Sequence, residues 1–178
     1  MTIRDKEFEP YIFEEQILTR IREISRDVNK SYAEKNPLFV SVLNGSFMFA
    51  ADLMKEISIR SEISFVKFSS YQNMDSTGEI KELIGLNDEV KGRDIIIIED
   101  IVDTGHTMHH LLGDIEKFKP ASVAICTLLF KPDALKRDID LEYVGFSIPN
   151  KFVVGYGLDY DGYGRNLRDI YQLSESSS

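Results

Sequence analysis

The sequence predicts an α/β fold, in which helices flank a mainly parallel, twisted sheet. Short apolar runs alternate with segments of helical periodicity, a pattern typical of parallel sheets. The run Ile95 to Ile98 consists of isoleucine alone and suits a strand that is covered on both faces. A chain of 178 residues that is 43% hydrophobic and 29% charged fits one globular domain over 1–178. The serine-rich tail, about 174–178, is expected to be disordered.

The first half of the chain contains two predicted helices and two predicted strands. Apolar residues recur at spacings of three and four from Phe13 to Tyr32, and Asn36-Pro37 ends that helical pattern. In order, we predict a helix over 13–32, a strand over 38–43, a helix after the turn at 44–46, a strand over 63–68 and a polar loop over 69–85.

The second half repeats the alternation. The run around Ile95 predicts a strand over 94–98, and Pro120 closes the helix that follows it. In order, we predict that strand, a helix that opens at Asp103-Thr104-Gly105, and three further strands over 123–130, 143–148 and 152–156.

Charge and cysteine content exclude several classes of function. A net charge of −9 gives no non-specific attraction to nucleic acid or to an anionic membrane, so we expect neither as a partner. The single cysteine, Cys126, lies in an apolar run and is expected to be a core residue. The N-terminus lacks the apolar stretch of a signal peptide, and no run has the length of a membrane span. We therefore expect a soluble cytoplasmic protein.

The segment from Ile95 to Met108 carries the most chemical information. Charge follows the buried strand at its carboxyl end, where open α/β sheets bind ligands. The next residues lead into a helix N-terminus, whose free N–H groups and dipole attract anions. Thr104 and Thr107 add hydroxyl donors, and Gly105 allows close approach of the backbone. This loop is therefore predicted to bind a phosphate.

Three carboxylates crowd this anion site: those of Glu99, Asp100 and Asp103. Between Ile95 and Met108 there is no lysine or arginine, so a bare phosphate would be repelled. A ligand with both a phosphate and a vicinal diol would fit, because carboxylates accept hydrogen bonds from hydroxyls or bind them through Mg²⁺. The pattern thus favours a ribose 5-phosphate over an ordinary acidic N-cap.

Within the strand, Glu99 and Asp100 are expected to point to opposite faces and need not share a role. Asp103, at the turn, is free to face the ligand and to take a proton. The histidines 106, 109 and 110 share a helix face, but no nearby cysteine or further histidine completes a zinc site.

The order Glu-Asp-Ile-Val-Asp-Thr-Gly at residues 99–105 resembles the signature of type I phosphoribosyltransferases, which bind 5-phosphoribosyl-1-pyrophosphate. It is closely similar to the hypoxanthine-guanine phosphoribosyltransferases of purine salvage, and the similarity runs from about Val40 to Arg168. The resemblance implies a small hood lobe formed by the N- and C-terminal segments. It also implies Mg²⁺-dependent transfer of the 5-phosphoribosyl group to N9 of hypoxanthine or guanine, giving IMP or GMP and pyrophosphate.

The resemblance also implies roles for the central motif. Glu99 and Asp100 would bind the ribose hydroxyls, directly or through Mg²⁺, and Asp103 would accept or hydrogen-bond the proton on purine N7. The residues that would hold the 5-phosphate are Thr104, Gly105, His106 and Thr107.

On the pyrophosphate side, the family's loop corresponds to Asn44 and Gly45, with a non-proline cis peptide implied at Leu43–Asn44. Many relatives have a basic residue in place of Asn44, which suggests a weaker grip on pyrophosphate here. Asp159 would be a Mg²⁺ ligand and Arg165 a pyrophosphate ligand. A surface ion pair with an acid such as Asp161 is the alternative for Arg165.

On the base side, the resemblance implies that Lys131 donates to the 6-oxo group and that Phe152 stacks on the purine. Val153 would read the base edge through its backbone, with Lys151 nearby. The alternatives are a solvated lysine at a strand end and two ordinary core residues at 152 and 153.

The polar segment 69–78 matches the family's active-site lid, with Ser70 and Tyr71 as the candidate lid residues. A lid would keep water from the oxocarbenium-like centre that forms as the ribose–pyrophosphate bond breaks.

Other functions remain to be weighed against this one. A regulatory sensor of phosphoribosyl pyrophosphate would be expected to have a basic nucleic-acid surface, and a receiver domain would place its acids after different strands. Enzymes for adenine or a pyrimidine would not need Lys131 and Phe152 as placed. Members of the family are usually dimeric or tetrameric, so a homodimer or homotetramer is expected.

Overall fold

The computed structural model of the protein describes residues 1–70, 80–84, 86 and 90–174. The strands are β1 (Thr2–Ile3), β2 (Lys6–Ile12), β3 (Leu38–Leu43), β4 (Glu62–Ser70), β5 (Ile80–Ile84), β6 (Asp94–Val102), β7 (Ser122–Phe130), β8 (Tyr143–Ser147), β9 (Val153–Val154) and β10 (Ile170–Leu173). The helices are α1 (Glu14–Ser31), α2 (Phe47–Glu56) and α3 (His106–Lys117), with a 3-10 turn at Pro132–Ala134.

The main sheet has the strand order β5-β4-β3-β6-β7-β8. The pairs β3–β4, β3–β6, β6–β7 and β7–β8 are parallel, and β5 pairs antiparallel with β4 at one edge. This confirms the predicted mainly parallel sheet. Because β3 and β6 are neighbours, the turns that follow them lie side by side at the carboxyl edge of the sheet.

Helices cover both faces of the sheet. Ile96 and Ile98 pack in one cluster with residues of α1 and α2, whereas Ile95 and Ile97 pack in another with residues of α3. All four isoleucines are fully buried, as the sequence pattern predicts. Burying such a side chain contributes about 1.5–3 kcal/mol each, so this strand anchors both layers. Cys126 is also buried in the core, as predicted.

A second sheet, in the order β1-β2-β10-β9, joins the two ends of the chain. Its strands pair antiparallel, and Ile12, Val153 and Ile170 belong to the same apolar cluster as α1 and the main sheet. The predicted hood lobe from the N- and C-terminal segments is confirmed.

Some element boundaries differ from prediction. The predicted loop over 69–85 is wrong at both ends, because β4 continues to Ser70 and β5 occupies Ile80–Ile84. These strands are held by pairing with each other, which local periodicity does not reveal. The strand predicted over 152–156 is limited to Val153–Val154, since positive φ angles at Gly155 and Tyr156 end it.

None of the helices in the described residues is both long enough and apolar enough to cross a membrane.

Candidate active site

The turn after β6 forms the predicted phosphate loop. β6 ends at Val102 and α3 begins at His106, later than predicted, with Gly105 at the N-cap and a φ of +81°. Asp103 and Thr104 are thus not the N-cap, although the His106 amide donates to the Thr104 hydroxyl in a long hydrogen bond of 3.5 Å. The N–H groups of the first turn of α3 that follow His106 are oriented toward an anion at this end of the helix.

A small cavity of about 80 Å³ lies at this loop. Its lining consists of Glu99 and residues 101–108. Liquid water takes about 30 Å³ per molecule, so the cavity suits a compact polar group rather than a purine base.

The segment after β7 packs against the phosphate loop. The Lys136 amide donates to the Thr104 carbonyl at 3.0 Å. A β-carbon at position 105 would come within 2.8 Å of Ile139 Cδ1 and 3.3 Å of Arg137 Cβ. Both this crowding and the positive φ require glycine at 105.

Asp103 and Lys131 form an ion pair at the carboxyl ends of β6 and β7. The Lys131 Nζ to Asp103 Oδ2 distance is 3.0 Å, with the Lys131 side chain 8% and the Asp103 side chain 44% exposed. The Lys131 amide also donates to the Val102 carbonyl at 2.9 Å, which ties the two strand ends together. Lys131 is therefore not the solvated lysine of the alternative interpretation.

Glu99 and Asp100 lie side by side near the end of β6. Glu99 is buried and its carboxylate accepts the Asp100 amide at 3.2 Å, so the flexible side chain turns back along the strand. Glu99 lines the cavity at the phosphate loop, whereas the Asp100 carboxylate lies against the turn at Gly45, as expected for neighbouring residues of a strand. Burial, and then the charge of Asp100, raise the pKa of Glu99 well above its usual value. Burial also raises the pKa of Asp100, against the opposing charge of Arg165.

The turn after β3 packs against Asp100. The Leu43–Asn44 peptide is cis, which confirms the bond implied by the resemblance, and Asn44 is exposed. A β-carbon at Gly45 would collide with the Asp100 carboxylate. Ser46 links the turn to β3, since its hydroxyl lies 2.7 Å from the Ser41 hydroxyl and donates to a backbone carbonyl of β3.

A loop between β9 and β10 closes over this turn. Gly157, at φ +100°, lies against the Gly45 carbonyl and leaves no room for a β-carbon. Arg165 donates to the Gly157 carbonyl at 2.7 Å and pairs with Asp159 at 2.6 Å. Arg165 is thus in an ion pair with an acid, as the alternative interpretation expects, but the acid is Asp159, since Asp161 pairs with Arg4 of the N-terminal turn.

The donor set fits Mg²⁺ only together with a phosphorylated ligand. Among the residues whose positions are described, no three acidic, histidine or cysteine side chains are grouped to hold an ion. Mg²⁺ is commonly bound by one or two carboxylates together with water and substrate phosphates. Asp159 is half-buried beside Arg165, and one of its oxygens accepts the Gly162 amide at 2.6 Å, so it could supply one such ligand.

The predicted base platform is exposed on the second sheet. Phe152 is 43% exposed, whereas Val153 is buried, so the core interpretation holds for Val153 alone. Lys151 is half-buried beside them.

Sequence reasoning missed the support behind Phe152. The Tyr160 ring meets Phe152 edge-on, with centroids 5.8 Å apart, and its hydroxyl donates to Asp5 at 2.7 Å. Phe8 packs behind both rings. The aromatic density of residues 152–163 is a signal for such a cluster, but nothing local links it to Asp5, 155 residues away.

The predicted lid is mostly beyond the described residues. Tyr71 lies outside them, and Ser70 is the last residue of β4. Both assignments remain predictions.

Comparisons with known proteins identify one family. Residues 12–161 match the family model of the phosphoribosyl transferase domain. The chain is 42% identical over 173 residues to a hypoxanthine-guanine phosphoribosyltransferase of Streptococcus thermophilus, covering 96% of each chain. It is 45% identical over 157 residues to the bifunctional protein TilS/HprT of Listeria monocytogenes, of which it spans 24%.

Solved structures agree with this similarity. A hypoxanthine phosphoribosyltransferase from Staphylococcus aureus has a TM-score of 0.89 and 39% identity, covering 97% of this chain and 94% of that one. A hypoxanthine-guanine phosphoribosyltransferase from Bacillus anthracis has a TM-score of 0.88 and 38% identity, covering 94% and 100%.

Proposed function

The chain belongs to the phosphoribosyl transferase family, and from this premise we propose that it is a purine-salvage enzyme. It transfers the 5-phosphoribosyl group of phosphoribosyl pyrophosphate to N9 of hypoxanthine or guanine, with IMP or GMP and pyrophosphate as products. The names of its relatives at 42% and 39% identity support this reaction.

The observation that carries the proposal is the ion pair between Asp103 and Lys131, 3.0 Å apart. In a 6-oxopurine, O6 and N7 are neighbouring positions on one edge of the base. An ammonium group donates to O6, and a carboxylate beside it accepts the proton on N7. Adenine carries an amino donor in place of O6, so Lys131 disfavours it by leaving donors unpaired.

In the reaction, N9 attacks C1′ of the ribose as the bond from C1′ to the pyrophosphate oxygen breaks. The N7 proton passes to Asp103, which acts as the general base. Glu99 and Asp100 face the ribose hydroxyls, and their negative charge stabilises the positive charge that develops on the sugar. The N–H groups from Thr104 to Thr107 hold the 5-phosphate.

The pyrophosphate side is formed by Arg165 and the turn at Asn44-Gly45. Arg165 binds the leaving group through its guanidinium, and the close packing of Gly45 against Asp100 fixes the turn beside the ribose. Mg²⁺, when bound, neutralises charge on the pyrophosphate. Asp159, Glu99 and Asp100 are the proposed residues that would hold the metal.

On the base side, Phe152 stacks on the purine, Val153 contacts the base edge through its backbone, and Lys151 lies nearby. Ser70 and Tyr71 belong to the segment proposed to close over the site. A homodimer or homotetramer, a cytoplasmic location and a single domain over 1–178 remain predictions.

The test is direct turnover. The protein is incubated with phosphoribosyl pyrophosphate, Mg²⁺ and one of hypoxanthine, guanine, xanthine or adenine, and nucleotide is separated and quantified. We expect product with hypoxanthine or guanine and none with adenine. Absence of product with every base would contradict the proposal and favour a protein that only binds phosphoribosyl pyrophosphate.

A further inference from the structure

The phosphate loop acquires a cation from a distant part of the sequence. Residues 95–108 contain no lysine or arginine, yet the fold places Arg137 beside His106. The Arg137 Nε donates to His106 Nδ1 at 3.4 Å, across 31 residues of sequence.

The backbone holds Arg137 at this position. Its neighbour Lys136 donates its amide to the Thr104 carbonyl at 3.0 Å, and Arg137 Cβ lies 3.3 Å from the point where a Gly105 β-carbon would be. The backbone segment that carries Arg137 is therefore attached to the loop itself.

Of the side-chain donors of Arg137, only Nε makes a hydrogen bond among the described residues. Its Nε is bonded to His106, and within the residues described here Arg137 makes no ion pair with a carboxylate. Asp103, the acid of the loop itself, is already paired with Lys131. An exposed arginine with free terminal N–H groups beside open helix amides is well suited to a phosphate, to which guanidinium groups donate in pairs.

We propose that Arg137, oriented by His106, binds the 5-phosphate of the ribose and makes the enzyme selective for phosphorylated over unphosphorylated ribose ligands. This inference rests on the proposed function. It explains how an acidic chain binds a dianion at this loop. The amides of α3 orient the phosphate by hydrogen bonding, and Arg137 provides the positive charge that residues 95–108 lack.

Binding of IMP and inosine tests the inference, because these ligands differ only in the 5-phosphate. Dissociation constants are measured by calorimetry for the wild-type protein, Arg137→Met and Arg137→Lys. We expect Arg137→Met to weaken IMP binding about tenfold, as for loss of a charge-assisted hydrogen bond, and to leave inosine binding within about twofold. Arg137→Lys should be intermediate, since it keeps the charge without the planar fork.

Arg60→Met is the matched control, because Arg60 is an exposed arginine in the turn between α2 and β4. It removes the same charge and should leave both affinities unchanged. In turnover assays, Arg137→Met should raise KM for phosphoribosyl pyrophosphate and leave KM for hypoxanthine unchanged.

The results separate the two proposals. Normal IMP binding by Arg137→Met, or equal losses for IMP and inosine, would overturn the role of Arg137 while the proposed function stands. If the wild-type protein binds neither IMP nor inosine and shows no turnover, both proposals are wrong.

Discussion

At the scale of single residues, Asp103 and Lys131 depend on each other. Lys131 is 6% exposed, and burying an ammonium group is costly unless a charge faces it. Asp103 supplies that charge while remaining partly exposed to a ligand. The pair therefore serves both the stability of this edge and the proposed recognition of a 6-oxopurine.

Asp103→Asn separates these two contributions. The amide oxygen still accepts from Lys131, so the fold should be retained, but the amide cannot take the N7 proton. We expect kcat to fall about 10²–10⁴-fold, with little change in the affinity for phosphoribosyl pyrophosphate. Steady-state kinetics and direct binding measure the two effects. Asp133→Asn, at an exposed aspartate two residues after Lys131, is the control, and a wild-type rate for Asp103→Asn would exclude the proposed base.

Glu99 gives the metal-free protein a pH-dependent stability. Its pKa is raised in the folded state, so the folded chain binds more protons than the unfolded chain above the unfolded pKa. The stabilisation present at low pH is therefore lost as pH rises through the folded pKa. We expect the Tm of the ligand-free protein to fall over this range.

Glu99→Gln removes the buried charge and tests this cause. The variant should have a higher Tm than wild type at pH 8 and a flatter dependence of Tm on pH, together with weaker binding of the ribose ligand. Glu116→Gln, on the exposed side of α3, should behave like wild type. An unchanged pH dependence in Glu99→Gln would show that Glu99 does not cause it.

At the scale of elements, two turns and strand β6 pack closely at one edge of the sheet, with glycine at each of the two contacts between them. The turn after β3 meets Asp100 of β6 on one side and the loop after β9 on the other. Gly45 and Gly157 make both contacts possible, since a β-carbon at either position would meet its neighbour. The parallel pairing of β3 with β6 is what brings the turn to Asp100.

Gly45→Ala should therefore damage the site rather than α2. A displaced Asp100 or turn is expected to reduce kcat/KM for phosphoribosyl pyrophosphate about 10²-fold, because small misplacements of binding groups are costly. Gly113→Ala is the matched control, since nothing lies within 4 Å of its β-carbon in α3. It should leave activity unchanged and stabilise the protein by about 0.8–1 kcal/mol through helix propensity. Equal activity of the two variants would contradict the tight contact at Gly45.

At the scale of the whole molecule, a net charge of −9 has to accommodate a highly phosphorylated substrate. The proposed site relies on backbone amides and on two separate cations, Arg137 and Arg165, for the phosphate groups, rather than on a basic patch. These cations lie outside β6, the strand that carries the carboxylates of Glu99 and Asp100. Under the proposed function, Mg²⁺ would neutralise much of the charge on the pyrophosphate.

We expect activity to depend strictly on Mg²⁺. Excess chelator should abolish turnover, and added Mg²⁺ should restore it, whereas Na⁺ at equal ionic strength should not. Turnover in the presence and absence of EDTA measures this. Full activity in excess chelator would contradict the metal's proposed role.

Much of the fold was predictable because its elements have strong local patterns. The helical periodicity before Asn36-Pro37 and the isoleucine run of β6 both reflect burial of residues that are close together in the sequence. The helix and the strand predicted from these patterns are present in the structure. β5 was missed because its pairing with β4 at the sheet edge joins segments whose own patterns are weak. The early end of β9 depends on backbone angles at Gly155 and Tyr156 that no apolar pattern encodes.

For the site, the sequence by itself determined the fold class, the phosphate loop at residues 103–107 and its carboxylates, because these lie within one contiguous motif. Only the tertiary structure decided which charges meet: Asp103 with Lys131, Asp159 with Arg165 and His106 with Arg137. The first and last of these pairs join residues about 30 positions apart, which only the parallel register of β6 and β7 and the segment after β7 bring together. Charge pairing depends on distance in space, and a local sequence pattern carries no information about that distance.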